Sequence, residues 1–449
     1  MSLKTFYSSH NVRDLTNHMN AHHLLQNLSR DGLHDAHTAI EEAWHACLKQ
    51  NLSISIERGI PSPAQLQLSQ ALLAQPLDES YVDDAGNDCR NYGAQQGLTA
   101  ARELFAPLID VPAENIIVNG NSSLAMMYDC VSWAVRHGVP GGENPWSDDS
   151  QAAFICIVPG YDRHFAICEA FGLRMIAVPM LEDGPDMQVV REACRKYPSV
   201  KGIWCVPKYS NPTGTVYSDS VVRELAGMRA APDFRIFWDN AYCVHPLAGY
   251  DRQLADIYAA CQQAGNPDRV LAFASTSKMT LPGSGIAAMG ASEANIKWWL
   301  KHASVRSVGP DKVSQLRQVR FLKNTGTVRT LMEAHRQLLK PKFDLVSTVF
   351  EYVLGAQDYV RWTRPEGGYF ISLHTLPGTA NRIVKLAAQA GVRFARPGSC
   401  YPGHLDVQDA QLRIAPSYPD IDELRLALTV IAVSIARATA EKLSRSADA

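Results

Sequence analysis

The sequence lacks the features that mark several specialised classes of protein. Its longest apolar stretch, residues 426–436, is interrupted by Thr429 and Ser434, whereas a membrane-spanning helix needs about 20 apolar residues. Its charges nearly cancel, with 43 Lys and Arg against 45 Asp and Glu, which disfavours a surface for nucleic acid or anionic membrane. The 449 residues are 46% hydrophobic, which excludes intrinsic disorder. We expect a globular protein of about two to four domains, from its length alone.

The ten cysteines show no pattern of pairing. No Cys-x-x-Cys motif occurs, and Cys156 and Cys205 lie inside apolar runs, where a free thiol packs as a small hydrophobic group. Disulfide frameworks belong to short secreted chains, and the first residues, MSLKTFYSSH, lack the apolar core of a secretory signal. We therefore expect reduced cysteines in a cytoplasmic protein.

Histidines are concentrated near the N-terminus, where seven of the 14 fall within the first 45 residues. His18 and His22 are four residues apart, and His34 and His37 are three apart, so each pair could share a helix face and bind a metal. No carboxylate or cysteine completes either set. We therefore interpret them as a solvated polar helix face and predict no metal site.

Seven short apolar runs alternate with helix-like segments through the middle of the chain. Continuous rather than alternating apolar residues are typical of strands buried on both faces of a mostly parallel sheet. The repetition of strand and helix predicts an open, doubly wound α/β fold with a seven-stranded, mostly parallel sheet. The predicted strands are 115–119, 153–158, 175–178, 202–206, 234–238, 270–274 and 286–290.

A second, smaller α+β domain is predicted from both ends of the chain. Residues 329–353 have the pattern of one long helix, and a further helix near 380–389 precedes strands near 392–395 and 411–415. We divide the chain into three parts. They are an N-terminal segment (1–85) that packs with the small domain, a large domain (86–330) and a C-terminal small domain (331–449).

Polar residues follow several of these strands, at the edge where open α/β sheets bind their ligands. Gly120, Asn121 and Ser122 open an apolar helix. Free backbone N–H groups at a helix N-terminus bind anions, although Asn and Ser are also common helix caps. Tyr161 follows the second strand, and Asn211 follows the fourth.

Asp239 and Lys278 are the most informative residues at this edge. Asp239 follows the buried run IFW, and a buried carboxylate is costly unless it meets a cation or several donors. Lys278 follows VLAFASTS, and a desolvated lysine is suited to Schiff-base chemistry. A plain ion pair would explain the two alone. Together with the other strand-end residues they predict a site for pyridoxal 5′-phosphate (PLP), which carries an aldehyde, a pyridine nitrogen and a phosphate.

The motifs, taken in chain order, resemble those of fold-type I PLP-dependent enzymes of the class I/II aminotransferase family. The resemblance is strongest to the bacterial aspartate-aminotransferase-like subgroup related to the catalytic domains of MocR-type regulators. It runs from about residue 58 to 418. The motifs are RGIPSP (58–63), NYGAQQGLTAARELF (91–105), NGNSSL (119–124), PGYDRHF (159–165), SNPTG (210–214), DNAY (239–242), STSKM (275–279), GPDKVSQLR (309–317), EGGYF (366–370) and LRIAPSYP (412–419).

The resemblance implies roles around the cofactor. Lys278 would bind the aldehyde and shuttle the substrate proton, and Asp239 would keep the pyridine nitrogen protonated. Tyr161 would stack on the ring. The ring hydroxyl would be held by Asn211 and Tyr242, and the phosphate by Asn121, Ser122 and Ser275. Gly120, at the same helix start, and Ser277 are further candidates for cofactor binding.

The resemblance also implies how the substrate and a second subunit are engaged. Arg413 would bind the substrate α-carboxylate in the bidentate geometry that suits arginine, with Asn211 and the backbone N–H of Gly59 assisting. Tyr92 would reach the phosphate of a neighbouring subunit. A homodimer with shared active sites is therefore expected.

One position departs from the family pattern. Many members place an arginine seven or eight residues after the lysine to bind the phosphate, and Gly285 and Ile286 stand there. We expect Ser275, Ser277 and another cation, such as Lys312 or Arg306 of this subunit or of a partner, to compensate the phosphate charge.

The glycines of this segment also resemble part of a dinucleotide-binding fingerprint. That fingerprint opens a helix after a strand, whereas residues 283–285 lead into the apolar run 286–290. A nicotinamide-dependent oxidoreductase is therefore disfavoured.

The function that these patterns predict is an aminotransferase acting between an amino acid and a 2-oxo acid. Subgroup resemblance favours a dicarboxylic pair such as aspartate and 2-oxoglutarate, with Arg58, Arg306 or Lys312 as candidates for binding the distal carboxylate. A PLP-dependent decarboxylase or carbon–sulfur lyase would use the same residues and stays open. A ligand-sensing regulator is less favoured, because no basic helix-turn-helix region lies before residue 50 and the net charge is −2.

Overall fold

The structure is a computed structural model that describes residues 30–74, 80–355 and 359–447. The chain forms two compact units. The larger contains residues 63–337 and 366–368, and the smaller contains the described residues up to 62 together with 338–365 and those from 369 onwards. The domain limits expected after residues 85 and 330 stay a prediction.

Helices account for much of both units. Their bounds, in chain order, are α1 (Arg30–Leu48), α2 (Pro63–Gln67), α3 (Thr99–Ile109), α4 (Ser123–His137), α5 (Asp162–Ala170), α6 (Met187–Lys196), α7 (Asp219–Gly227), α8 (Ile257–Gln263), α9 (Glu293–Arg306), α10 (Lys312–Leu322), α11 (Thr325–Leu354), α12 (Ala380–Gln389) and α13 (Ile421–Ala447). Asp or Ser side chains cap the N-termini of α4, α6, α7, α8, α9 and α10, which satisfies backbone N–H groups that have no partner inside the helix.

The strands form three sheets. Their bounds are β1 (Ile54–Ser55), β2 (Ile116–Val118), β3 (Ala153–Val158), β4 (Arg174–Leu181), β5 (Gly184–Pro185), β6 (Val200–Cys205), β7 (Arg235–Asp239), β8 (Val270–Ser275), β9 (Ala287–Ala291), β10 (Arg361–Trp362), β11 (Ile371–His374), β12 (Val392–Arg393) and β13 (Gln411–Ile414). In the smaller unit, β1 pairs in parallel with β12, and β10, β11 and β13 form an antiparallel sheet.

The main sheet of the larger unit confirms the predicted α/β fold. Its strand order is β2-β9-β8-β7-β6-β3-β4-β5. Strands β3, β4, β6, β7 and β8 are mutually parallel, and β9 lies antiparallel between β8 and β2. The predicted count of seven strands was wrong, because the described part of the sheet has eight. The additional strand, β5, is a two-residue hairpin partner of β4, too short to give an apolar run.

Both faces of the central strands β3, β6, β7, β8 and β9 are buried, which explains their continuous apolar runs. Along β3, Ile155 packs into a core with residues of α3, α6, α7 and α8. Its neighbour Phe154 packs on the opposite face with residues of α4, α5 and α9. Successive strand residues point to opposite faces, so a strand covered on both sides must be apolar throughout.

The described residues were also compared with the requirements of a metal site and of a membrane-spanning helix. Among the residues that the structure describes, no group of three or more His, Cys, Asp and Glu side chains could hold a metal ion. His18 and His22 lie outside those residues. No described helix has the length and apolar character needed to cross a membrane.

Candidate active site

Apart from Tyr92, the predicted site residues of the larger unit end or follow five strands whose carboxyl ends share one edge of the sheet. Strands β3, β6, β7 and β8 are parallel, and β2 runs in the same direction because β9 is antiparallel to both β2 and β8. This arrangement explains how residues from 120 to 278 are brought to one edge.

Asp239 is the last residue of β7 and is almost completely buried. Its Oδ2 lies 3.1 Å from Nε2 of His164. Its Oδ1 is buried without a hydrogen-bond partner among the described residues. A buried carboxylate oxygen of this kind is costly unless a proton donor meets it, so the site suits a ligand that carries an N–H group.

His164 is held in contact with two aromatic rings. Its imidazole stacks on the indole of Trp204 at 4.5 Å and 10°, and Tyr161 meets it edge-on at 5.0 Å. The indole Nε1–H of Trp204 donates to Sγ of Cys168 at 3.2 Å. The imidazole that contacts Asp239 is therefore fixed in position by residues of β6 and α5.

Lys278 follows β8 in a tight turn, in which Met279 N and Thr280 N both donate to the carbonyl of Thr276. Its Nζ lies 5.1 Å from the ring centroid of Tyr242. Burial lowers the pKa of the Lys278 ammonium, and the charge of Asp239 opposes that shift. A lysine with a lowered pKa has more of its neutral, nucleophilic form at neutral pH.

A group of polar side chains surrounds the start of α4. Ser122 caps the helix by accepting from Ala125 N at 3.2 Å. Ser277 Oγ donates to the carbonyl of Asn121 at 3.0 Å, and Ser275 Oγ donates to Ser277 Oγ at 3.1 Å. Gly120 has a φ of 61°, a left-handed conformation that favours glycine. The hydroxyls and the helix N-terminus can together bind an anion.

Gly285 and Ile286, where many family members have a phosphate-binding arginine, lie against Thr276. Ile286 is buried, and its N–H donates to Oγ1 of Thr276 at 3.0 Å. A Cβ on Gly285 would lie 3.0 Å from the same oxygen. A side chain at Gly285 would therefore press on Thr276, which belongs to the turn that carries Lys278.

The two candidate cations differ in what they contact. The Lys312 ammonium is buried and donates to the carbonyls of Asn91 and Gly93. Arg306 is partly exposed, forms an ion pair with Asp129 at 3.3 Å and donates to Oδ1 of Asn119 at 3.3 Å. Lys312 thus holds the loop around Tyr92, while Arg306 lies beside the residue that precedes Gly120.

The remaining predicted residues of the larger unit occupy two different environments. Asn211 and Tyr242 are buried, and Asn211 lines a small cleft together with Tyr161, His164 and Trp204. Tyr92 is 81% exposed, so its side chain projects away from its own unit.

Within the smaller unit, Gly59 and Arg413 converge on one aromatic ring. The Arg413 guanidinium lies 4.9 Å from the centroid of Phe370. A Cβ on Gly59 would come within 2.5 Å of the same ring, so this close approach requires glycine. The structure therefore brings together the two residues of this unit that the sequence assigned to the substrate carboxylate.

Sequence reasoning missed His164 and Trp204. His164 lies in the motif PGYDRHF, on the first turn of the helix that follows β3. A histidine at that position, next to the predicted ligand edge, was the available signal. Trp204 had no signal, because an aromatic residue inside an apolar strand is ordinary.

Comparison with known proteins agrees with this geometry. The sequence profile of the aspartate amino-transferase family matches residues 28–447. The chain belongs to this family. A candidate aminotransferase of Mycolicibacterium smegmatis is 46% identical to this chain, and the match covers 93% of this chain and 98% of the relative. The aspartate aminotransferase of Corynebacterium glutamicum is 42% identical, and the match covers 93% of this chain and 96% of the relative. The crystal structure of an aspartate transaminase from Corynebacterium glutamicum is 41% identical, has a TM-score of 0.90 and covers 93% of this chain and 99% of that chain.

The family assignment makes the protein an aminotransferase. Family members use PLP, and the residues present fit that cofactor. The buried Oδ1 of Asp239 suits a protonated ring nitrogen, the Lys278 amine suits an aldehyde, and the polar start of α4 suits a phosphate. The relation to MocR-type regulators stays a prediction.

Proposed function

We propose that the protein is a PLP-dependent aminotransferase for a dicarboxylic pair, aspartate and 2-oxoglutarate. The observation that carries the proposal is the combination of Lys278, whose pKa is lowered by burial, with the buried and unpartnered Oδ1 of Asp239. The aspartate aminotransferase of Corynebacterium glutamicum, at 42% identity, supports the choice of substrates.

PLP, when bound, supplies an aldehyde for the amino group and a ring that accepts electrons from the substrate α-carbon. Asp239 would hold the proton on the ring nitrogen through Oδ1, and His164 would keep the carboxylate in place. Tyr161 would cover the ring, while Asn211 and Tyr242 would bind its hydroxyl oxygen.

The phosphate would be bound by Gly120, Asn121 and Ser122 at the start of α4, together with Ser275 and Ser277. Arg306 is the cation that we propose for charge compensation, because its guanidinium already donates to Asn119 at 3.3 Å. Lys312 is less suited, because its ammonium is buried against two backbone carbonyls.

The reacting proton would be handled by Lys278. Its Nζ is the group that would bind the aldehyde, and the same nitrogen would take the α-proton of the substrate and return it. Arg413 would bind the substrate α-carboxylate, with Asn211 and the N–H of Gly59 assisting. With Arg306 assigned to the phosphate and Lys312 bound to backbone carbonyls, Arg58 is the candidate that remains for the distal carboxylate.

We also propose a homodimer in which Tyr92 reaches the phosphate of the neighbouring subunit. Tyr92, Val305 and Val308 are 81%, 90% and 62% exposed. Their segments lie together, because Gln95 donates to the carbonyl of Ser307 at 2.8 Å. An exposed apolar patch of this kind supports burial against a second copy. A cytoplasmic location is supported by the ten cysteines, all of which are free thiols.

The deciding experiment has two stages. The first measures the visible absorbance of the purified protein with PLP added, in the wild type and in Lys278→Ala. A band that the variant loses supports the assigned lysine, and a protein that stays colourless contradicts the proposal. Lys297→Ala is a matched control, because this lysine is exposed and pairs with Glu293 on the surface.

The second stage exposes the coloured protein to single amino acids and follows conversion to the pyridoxamine form. Aspartate and glutamate should convert fastest. Release of carbon dioxide or of a thiol would instead indicate a decarboxylase or a lyase. Absence of any reaction with every amino acid would argue for a ligand-sensing role.

A further inference from the structure

A buried histidine contacts the backbone beside Lys278, and no role assigned so far uses it. His335 lies on α11, in the part that belongs to the larger unit. Its Nε2 is 3.0 Å from the carbonyl oxygen of Met279, and its Nδ1 is 3.0 Å from Nε2 of Gln65. Gln65, Met279 and His335 are each at most 1% exposed.

The two hydrogen bonds determine where the imidazole carries its proton. A carbonyl oxygen can only accept, so Nε2 of His335 must be the donor. Nδ1 of the neutral ring then accepts from the amide of Gln65. A second proton on Nδ1 would face that amide donor, so the arrangement favours a neutral histidine.

The burial of His335 favours its neutral state. Burial lowers the pKa of its imidazole, although the Met279 carbonyl opposes the shift. His245 lies close enough for the two rings to influence each other, and its own pKa is lowered to about 3, mainly by burial and further by the charges of His335, Lys278 and Lys208. A cation at His335 would therefore oppose protonation of His245.

The carbonyl that His335 holds belongs to the turn that carries Lys278. In that turn, Thr276 accepts from Met279 N at 3.0 Å and from Thr280 N at 2.8 Å. These bonds fix the start of the turn, and the bond from His335 fixes its end. The backbone on both sides of Lys278 is thus anchored, and the anchor at Met279 comes from a helix 56 residues further along the chain.

We propose that His335 and Gln65 are positioning residues that hold the backbone at Met279 and thereby aim the amine of Lys278. The proposal rests on the role assigned to Lys278 as the lysine that binds the cofactor. Neither side chain needs to touch cofactor or substrate. Loss of the bond to Met279 frees the turn and admits water, which raises the pKa of the Lys278 amine towards its ordinary value.

The test compares His335→Leu, which removes the donor, with His335→Gln, whose amide can still donate to Met279. Gln65→Leu keeps the imidazole and removes the amide that orients it. His374→Leu is the control, since it removes a largely buried imidazole that contacts Ser372 in the smaller unit. Circular dichroism and thermal unfolding establish that each variant is folded.

Two measurements are made on protein freed of cofactor. The first is amide hydrogen exchange at residues 276–280. The second is the rate at which added PLP forms the visible band, measured between pH 6 and 9. In His335→Leu we expect about tenfold faster exchange in the turn. We also expect about tenfold slower reaction at pH 7, because the pKa of the Lys278 amine rises and less of the amine is neutral.

His335→Gln should restore both values to within about twofold of the wild type, Gln65→Leu should be intermediate, and His374→Leu should leave both unchanged. Wild-type exchange and reaction rates in a folded His335→Leu would overturn the proposal. If His335→Leu does not fold, unchanged exchange in Gln65→Leu overturns it. A wild type that forms no visible band refutes the role of Lys278, while the exchange data still decide whether His335 holds the turn.

Discussion

The buried imidazole of His245 should make the larger unit lose stability as the pH falls. Burial lowers its pKa from 6.5 to about 3. The unfolded chain therefore binds a proton below pH 6.5 that the folded chain does not bind until about pH 3. This contribution to stability is fully present above pH 6.5, is lost progressively below it, and levels off below the folded pKa.

The expected loss of stability follows from the size of the pKa shift of His245. Each pH unit in the interval between the two pKa values changes the free energy of unfolding by about 1.36 kcal/mol for one proton. At pH 5, which is 1.5 units below 6.5, His245 should cost about 2 kcal/mol relative to pH 8. His335 acts in the same direction, since burial lowers its pKa as well.

The assay is urea unfolding of the cofactor-free protein from pH 8 to pH 5, followed by the fluorescence of the buried tryptophans. His245→Gln removes the titrating group. Its stability should fall by about 2 kcal/mol less over this range than that of the wild type. His404→Gln, at an exposed position of the smaller unit, is the control and should follow the wild type. If the free energy of unfolding falls with pH equally in the wild type and in His245→Gln, the reasoning is refuted.

Three further predictions concern the site. Ser122→Ala should cost about 1 kcal/mol of stability by removing the cap of α4 and should also weaken PLP binding, measured by titration of the visible band. Ser218→Ala removes the comparable cap of α7 and should lower stability alone, so equal PLP affinities in the two variants would contradict a phosphate role for Ser122. Trp204→Leu should shift the pH profile of the visible band, because His164 loses its stacking partner, and a profile identical to the wild type would show that the stacking is unimportant. Arg413→Lys should raise KM for amino acid and 2-oxo acid at least about tenfold, because lysine cannot form the bidentate contact. Arg361→Lys, at an exposed site, is the control and should leave KM unchanged. Equal KM values in the two variants would remove Arg413 from the substrate site.

Local sequence patterns were sufficient for the architecture. The apolar runs at 153–158 and 270–274 correspond to β3 and β8, because a strand covered on both faces must be apolar throughout. The long helix expected at 329–353 is α11, Thr325–Leu354. The two-residue strand β5 was missed, because a segment of two residues is too short to show a hydrophobic period.

The placement of Lys278 and Asp239 after adjacent buried strands could also be predicted, because the carboxyl ends of parallel strands meet at one edge. The cation that would compensate the phosphate charge in place of the absent arginine could not be predicted. Whether Arg306 or Lys312 is available depends on which of them is already committed to backbone carbonyls, and those bonds join Lys312 to residues 219 and 221 positions away.

The sequence by itself determined which segments are buried and which polar residues end the strands, because both properties are encoded by near neighbours along the chain. Only the tertiary structure decided what those residues meet. His164 reaches Asp239 across 75 residues, and Gln65 reaches His335 across 270. Such contacts are set by how helices pack on the sheet, and hydrophobic periodicity reports that a side chain is buried without reporting its partner.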